Sequence, residues 1–215
     1  ARCGEEGTVT LRSDYGLYDV DYKLQGTPLV SILIPNKDQA DTLRTCLETI
    51  QKKCMYPSYE ILIIENNSTE EATFSLYKKI ESDKIRVVYY PDAFNYSKLN
   101  NFGASYANGT YYILMNNDIE VIETNWIEQM LSNCERREVG VVGARLYYPD
   151  NTIQHAGLVV GVGGSLRGIG ANLYQGMRRE RSGYMHRAAI QMNYSAVTAA
   201  LLMVKKEVYD KVNGF

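Results

Sequence analysis

Short apolar runs, rich in β-branched and aromatic residues, recur along the chain at residues 30–34 (VSILI), 60–65 (EILIIE), 85–90 (IRVVYY) and 111–115 (YYILM). Their lack of polar alternation predicts strands covered on both faces, as in a parallel sheet. Between them the spacing becomes helical. Leu43, Cys46, Leu47 and Ile50 repeat at i, i+3, i+4 and i+7 behind Asp41. Thr73, Leu76, Tyr77 and Ile80 do the same behind Ser68-Thr69-Glu70-Glu71, a capping-box pattern. Ser97 opens a third helical segment, and Ile127, Met130, Leu131 and Cys134 mark a fourth. Strand and helix thus alternate from Val30 to Cys134, which predicts an α/β fold with a mostly parallel sheet and right-handed crossovers.

Beyond Cys134 the pattern is mixed. Residues 139–142 read as a strand, 157–170 are Gly-rich, and 175–187 are polar and Arg-rich. Residues 191–204 return to a strand pattern and 205–212 to a short helix ending at Gly214. Residues 1–27 show no core pattern and read as an N-terminal extension or linker, bounded at Gly26-Thr27-Pro28. One domain is expected over 28–215, with 28–135 as its first half and 136–215 as the start of a smaller second half. The chain begins without Met and reads as a segment of something longer.

Composition removes several function classes. The 215 residues suffice for one domain with a real core, and 45% hydrophobic against 22% charged residues exclude a disordered chain. A net charge of −2 offers no basic excess for wrapping nucleic acid. No run approaches the roughly 18 apolar residues of a membrane span. The first 26 residues are polar throughout, unlike a signal peptide. Cys3, Cys46, Cys54 and Cys134 are scattered, and His155 and His186 are the only histidines. That spacing builds neither a zinc site nor a disulfide framework, so the cysteines read as thiols in a reducing, cytoplasmic setting.

Ligands of open parallel sheets bind at the carboxyl ends of the strands. Here the strands are followed by Pro35-Asn36-Lys37-Asp38, Glu65-Asn66-Asn67-Ser68, Asn95-Tyr96-Ser97-Lys98 and Asn116-Asn117-Asp118. Turn and cap chemistry accounts for any one of these clusters. Four on one edge point to a polar ligand instead. Carboxylates and amides suit a hydrated divalent cation, a base and a ribose, while Lys98 suits a phosphate.

The stretches VSILIP (30–35), EILIIENNST (60–69) and YYILMNND (111–118) resemble the nucleotide-binding half of family 2 glycosyltransferases with the GT-A fold. NYSKLNNFG (95–103), TIQHAG (152–157) and NYSAVTAALLMVKK (193–206) narrow the resemblance to the bacterial rhamnosyltransferase-like branch that builds rhamnan and other surface polysaccharides. The resemblance covers residues 30–215. It implies a UDP- or dTDP-linked sugar donor, a glycan or lipid-linked acceptor, inversion at the anomeric carbon, and a Mg or Mn ion. It implies nucleotide contacts at Pro35, Asn36, Glu65, Asn66, Lys98, Asn101, Asn116 and Asn117, with metal at Asp118. Two positions depart from the family pattern. Glu65-Asn66 replaces an acidic pair, and Asn116-Asn117-Asp118 keeps one carboxylate of the metal-binding DxD motif. In the family the general base lies shortly past a Gly-Gly-Phe-like element, which here is Asn213-Gly214-Phe215. The base is therefore expected beyond Phe215 and the domain is expected to be truncated there. Glu207 and Asp210, the nearest carboxylates upstream, read as a solvated helix face.

Three further signals have open readings. Residues 161–166 (GVGGSL) fit neither GxGxxG nor a Walker A loop, and read as a mobile loop over the site or a plain hairpin. His155 reads equally as a ligand contact or a structural imidazole. Arg178, Arg179, Arg181 and Arg187 read as a solvated basic patch, as an electrostatic guide for an anionic donor, or as a surface for lipid headgroups at the inner face of a membrane. The competing reading for the whole chain is a catalytically incomplete nucleotide-sugar-binding module, or a partner-docking domain, of a larger protein.

Overall fold

A computed structural model describes residues 6–12, 16–162 and 170–215 of the chain. It opens with an exposed antiparallel hairpin, β1 (Gly7–Leu11) and β2 (Tyr18–Tyr22), within the segment expected to be an extension. The predicted alternation follows as β3 (Val30–Asn36), α1 (Ala40–Lys53), β4 (Tyr59–Glu65), α2 (Glu71–Ile80), β5 (Ile85–Tyr89), α3 (Tyr96–Ser105), β6 (Tyr111–Met115) and α4 (Trp126–Cys134). Short strands come next: β7 (Val141–Gly143), β8 (Leu146–Tyr147), β9 (Ile153–His155), β10 (Leu158–Val159) and β11 (Ala171–Asn172). The chain closes with β12 (Leu201–Lys205) and α5 (Lys206–Lys211). Among the described residues no helix is long and apolar enough to cross a membrane.

The chain divides into two compact units. One comprises residues 24–141 and 199–215. It holds strands β5-β4-β3-β6-β12 of the large sheet, in that order. The β3–β4, β4–β5 and β3–β6 pairs are parallel, and β12 runs antiparallel to β6. The buried runs predicted two-sided cover, and Ile32, Leu33, Ile34, Ile61 to Ile64 and Tyr112 to Met115 are indeed almost wholly shielded. Helices α1, α2 and α4 turn the predicted apolar stripe inward, burying Leu43, Cys46, Leu47 and Ile50 on α1 and Leu76 and Tyr77 on α2. In α3, Gly103 sits where a Cβ would come within 2.7 Å of the Ile64 side chain, so only glycine admits that helix onto β4.

Of the predicted 191–204 run only residues 201–204 enter the sheet, joined in β12 by Lys205, which was expected to begin the helix. The preceding segment belongs to the other unit, which comprises residues 1–23 and 142–198. That unit is built of the β1–β2 hairpin, the antiparallel pairs β8–β9 and β10–β11, and isolated bridges such as Leu158 with Ala196. Its buried His155 is held at both nitrogens. Thr198 N–H donates to Nε2 at 3.3 Å, which leaves the proton on Nδ1 to meet Asn172 Oδ1 at 2.7 Å. Burial pushes this imidazole below its ordinary pKa, outweighing Asn172, and the ring is structural.

Candidate functional site

The strand order fixes where a ligand fits. From β3 the chain crosses to β4 and then β5 on one side, and later to β6 on the other. The direction reverses between β3 and β6, and crevices at such reversals open at the carboxyl ends of the strands. The β3–β6 ladder stops at Leu33 and Leu114, while β3–β4 continues to Asn36 and Glu65. Asn36 and Asn116 to Asp118 therefore flank the reversal.

A continuous hydrogen-bond network spans this edge. Asn117 Nδ2 donates to Asn36 Oδ1 at 2.7 Å. Asn36 Nδ2 donates to the Tyr77 hydroxyl at 2.8 Å and to the Asp38 carbonyl at 3.0 Å. The Tyr77 hydroxyl donates onward to Glu65, which also accepts from the Ser68 hydroxyl at 2.6 Å and from the Ser68 N–H. Burial and the adjacent Glu65 carboxylate both raise the Tyr77 pKa, so the phenol stays protonated. Asp38 joins the loops after β3 and β4. Its N–H donates to Ser68 Oγ at 2.7 Å, and its carboxylate accepts from Thr69 N–H at 2.7 Å and Glu70 N–H at 2.9 Å. Those two amide donors hold the Asp38 carboxyl below its ordinary pKa. Asp38, Gln39 and Asn67 all have φ between 52° and 58°, left-handed backbone outside glycine. Asp and Asn tolerate it through their short polar side chains, whereas Gln39 is strained.

The predicted contact residues fall into two groups. Asn36, Glu65 and Asn66 are almost fully buried and occupied internally, Asn66 Nδ2 donating to the Asp92 carbonyl at 2.8 Å. They shape the edge from beneath. Lys98 and Asp118 are exposed, Asn116 and Asn117 half-exposed, and Pro35 sits half-buried in the last turn of β3. Asn101 has a different engagement. Its Oδ1 accepts from the Tyr209 hydroxyl at 2.6 Å and from Phe215 N–H at 3.0 Å, and its Nδ2 donates to the Phe215 carbonyl. Glu207 and Asp210 lie exposed on α5, Asp210 paired with Lys206 at 3.3 Å.

Two participants escaped the sequence reading. Tyr77 counted as apolar core because its ring lies on the buried stripe of α2, and nothing in the local spacing announces its hydroxyl as a hub. The Ser68–Glu71 pattern predicted a capping box, but α2 has no side-chain cap of its own. Asp38, from another loop, instead accepts from the N–H groups just ahead of the helix, at Thr69 and Glu70. The Asp-Asn-Ser chemistry of both loops was visible; their pairing was not.

Asp118 lies with Asp41, Thr42, Thr45 and Glu120 in the wall of a cavity of about 290 Å³. Among the described residues no three His, Cys, Asp or Glu side chains converge as a ready cation cage. The neighbouring Cys46 thiol is pushed up to about 12, by burial first and by Asp118 and Glu120 next, so it offers no thiolate. The donors present are hard oxygens. They fit a Mg or Mn ion that takes its remaining ligands from water and a bound diphosphate. Residues 163–169 of the Gly-rich segment lie outside the described residues.

A sequence model of "Glycosyl transferase family 2" matches residues 31–159. The chain is 44% identical over 199 residues to the uncharacterized protein y4gI of Sinorhizobium fredii, covering 92% of this chain and 22% of that protein. It is 35% identical over 215 residues to the O-antigen biosynthesis protein RfbC of Myxococcus xanthus, covering all of this chain and 16% of that protein. The chain thus spans about a fifth of the length of these relatives. Among solved structures, the mannosyltransferase PcManGT of Pyrobaculum calidifontis, in complex with GDP-Man and Mn2+, superposes with a TM-score of 0.60. That match is 13% identical and covers 89% of this chain and 48% of that one, so it speaks for the fold, a central mostly parallel sheet of the GT-A type.

Proposed function

The chain belongs to glycosyl transferase family 2, and from that premise we propose that it binds a UDP- or dTDP-linked sugar for inverting transfer to a glycan or lipid-linked acceptor. The observation that carries this reading is the Asn117–Asn36–Tyr77–Glu65 network across the sheet reversal. It supplies a hydrogen-bonded floor, beside which Asn116, Asp118 and Lys98 are more exposed. The RfbC relative supports a role in bacterial surface polysaccharide synthesis. PcManGT, which binds GDP-Man with Mn2+, supports a nucleotide sugar and a divalent cation.

In the proposed chemistry, an acceptor oxygen bonds to the anomeric carbon as the bond to the diphosphate breaks, and the acceptor proton passes to a base. Asn36, Asn66 and the Glu65 network orient base and ribose, and Lys98 meets phosphate. Asp118, with Glu120 nearby, would hold the cation. Bound there, a divalent cation supplies positive charge to the departing diphosphate. The base is proposed to follow Phe215, so an extended chain is expected to transfer sugar at least about a hundredfold faster than residues 1–215. Equal turnover by the two would place the base within the chain.

Calorimetry with UDP, dTDP and GDP, with and without Mn²⁺, tests the donor assignment. Failure of all three to bind at millimolar levels would remove it. Asp118→Asn is expected to abolish the enhancement of nucleotide binding by Mn²⁺ while shifting stability by less than about 0.5 kcal/mol, as befits an exposed residue. An Asp118→Asn chain that kept its Mn²⁺ response would reduce Asp118 to a turn residue.

A further inference from the structure

We propose that the unit comprising residues 1–23 and 142–198 carries an anion site of its own, shaped for an organic phosphate. A cavity of about 730 Å³ lies wholly within that unit. Arg12, Arg145, Arg179 and Arg181 line it, with Glu180 the one carboxylate in its wall. These guanidiniums arrive from three separate stretches of sequence.

The arrangement differs from a solvated basic patch, in which long side chains fan outward. The Arg145 and Arg179 guanidiniums both pack on the Tyr147 ring, at 5.1 Å and 4.5 Å from its centroid. Such stacking fixes them before any ligand arrives. Arg145 also donates to the Arg179 carbonyl at 2.9 Å, yet its Nε–H is buried without an acceptor. Arg12 donates to the Ala189 carbonyl and has Asp19 at 3.4 Å, so its charge is partly met. No such neutralisation is seen for Arg145, Arg179 or Arg181 among the described residues. Burial depresses the Arg145 pKa first; Tyr147 pulls the other way, and the like charges of Arg12 and Arg179 each add a smaller depression. An anion among these guanidiniums would relieve that repulsion.

The ligand class follows from charge and shape. Several guanidiniums exceed what one carboxylate can use, whereas a phosphate offers more oxygens and more charge to paired Arg forks. The volume lies within the ~300–1,000 Å³ range of small-molecule sites and is larger than an inorganic phosphate needs. Leu17, Met177 and Ala189 add an apolar wall for the organic part. A soluble sugar or nucleoside phosphate and a phospholipid headgroup share this chemistry.

The test is calorimetry of the full chain with inorganic pyrophosphate in EDTA, which removes metal-assisted binding near Asp118. Arg179→Gln/Arg181→Gln is expected to weaken binding about tenfold or more, the scale of one or two lost charge-assisted hydrogen bonds. Arg181→Gln alone, at an exposed residue, preserves the fold and is expected to weaken binding severalfold. Asp118→Asn is expected to leave it unchanged. Equal affinity in the wild type and both Arg variants overturns the site, as does loss of binding in Asp118→Asn. Phosphatidylglycerol vesicles separate the two sources. Pyrophosphate binding that the vesicles compete away assigns a headgroup, and binding they leave untouched assigns a soluble phosphate; both support the site. Capture by vesicles without any pyrophosphate binding overturns it in favour of a surface patch. Pyrophosphate binding persists here even if no nucleotide diphosphate binds at the sheet edge, so the two assignments fail separately.

Discussion

Strand β4 carries a buried carboxylate near each end, and the two are treated differently. Glu60, near its start, accepts from Ser31 Oγ–H, from Asn108 N–H and Nδ2–H, and from the Arg86 guanidinium. It is a closed ion pair with its remaining lone pairs filled. Glu65, at the end of the same strand, accepts among the described residues only from the neutral hydroxyls of Tyr77 and Ser68 and from Ser68 N–H. One end of the sheet is locked by a cation. The other meets neutral donors that also reach Asn36 and Asn117.

The largest effect is expected at the locked end. Glu60→Ala removes the acceptor of four donors, two on neighbouring strands and two from Asn108, and should cost about 2–4 kcal/mol in a urea titration. Nucleotide affinity per folded molecule should stay unchanged. A Glu60→Ala chain that lost nucleotide binding while folded would erase the distinction between the ends.

Glu65→Gln should cost less stability, about 1–2 kcal/mol, because the amide oxygen can still accept from the Tyr77 and Ser68 hydroxyls while its NH2 faces the Ser68 N–H. Its affinity for nucleotide should fall about tenfold, since Tyr77 also holds Asn36, which in turn accepts from Asn117. Unaltered affinity, read by the same calorimetry, would make Glu65 a second purely structural carboxylate.

The smallest effect is in pH. Burial opposes ionisation of Glu60, but the hydrogen bonds from Ser31, Asn108 and Arg86 outweigh it and hold the carboxyl below its ordinary 4.5. A folded pKa lower than the unfolded one gives stability that is fully present above about 4.5 and lost as pH falls through the lower folded value. The stability margin of the wild type over Glu60→Gln should therefore be flat from neutral pH to about pH 5 and shrink below that. A margin that grew on acidification would contradict the charged, paired state of Glu60.

The sequence by itself determined the alternating strands and helices of residues 30–134, because period and burial are local properties that each run of residues carries alone. It also placed Asn36, Glu65 and Asn116 to Asp118 at one sheet edge, since parallel strands put all their carboxyl ends together. It missed the assembly of the 142–198 unit with the β1–β2 hairpin, whose short strands leave little periodicity to read. Only the tertiary structure decided the partners. Asp38 meets Thr69 across 31 residues of sequence, Tyr77 reaches back 41 residues to Asn36, and Asn101 is taken by Phe215, 114 residues away. A hydrogen bond needs donor and acceptor within about 3 Å and aligned. Hydrophobic period reports which face a residue turns inward; which distant group it meets there is fixed when the sheet brings the loops together.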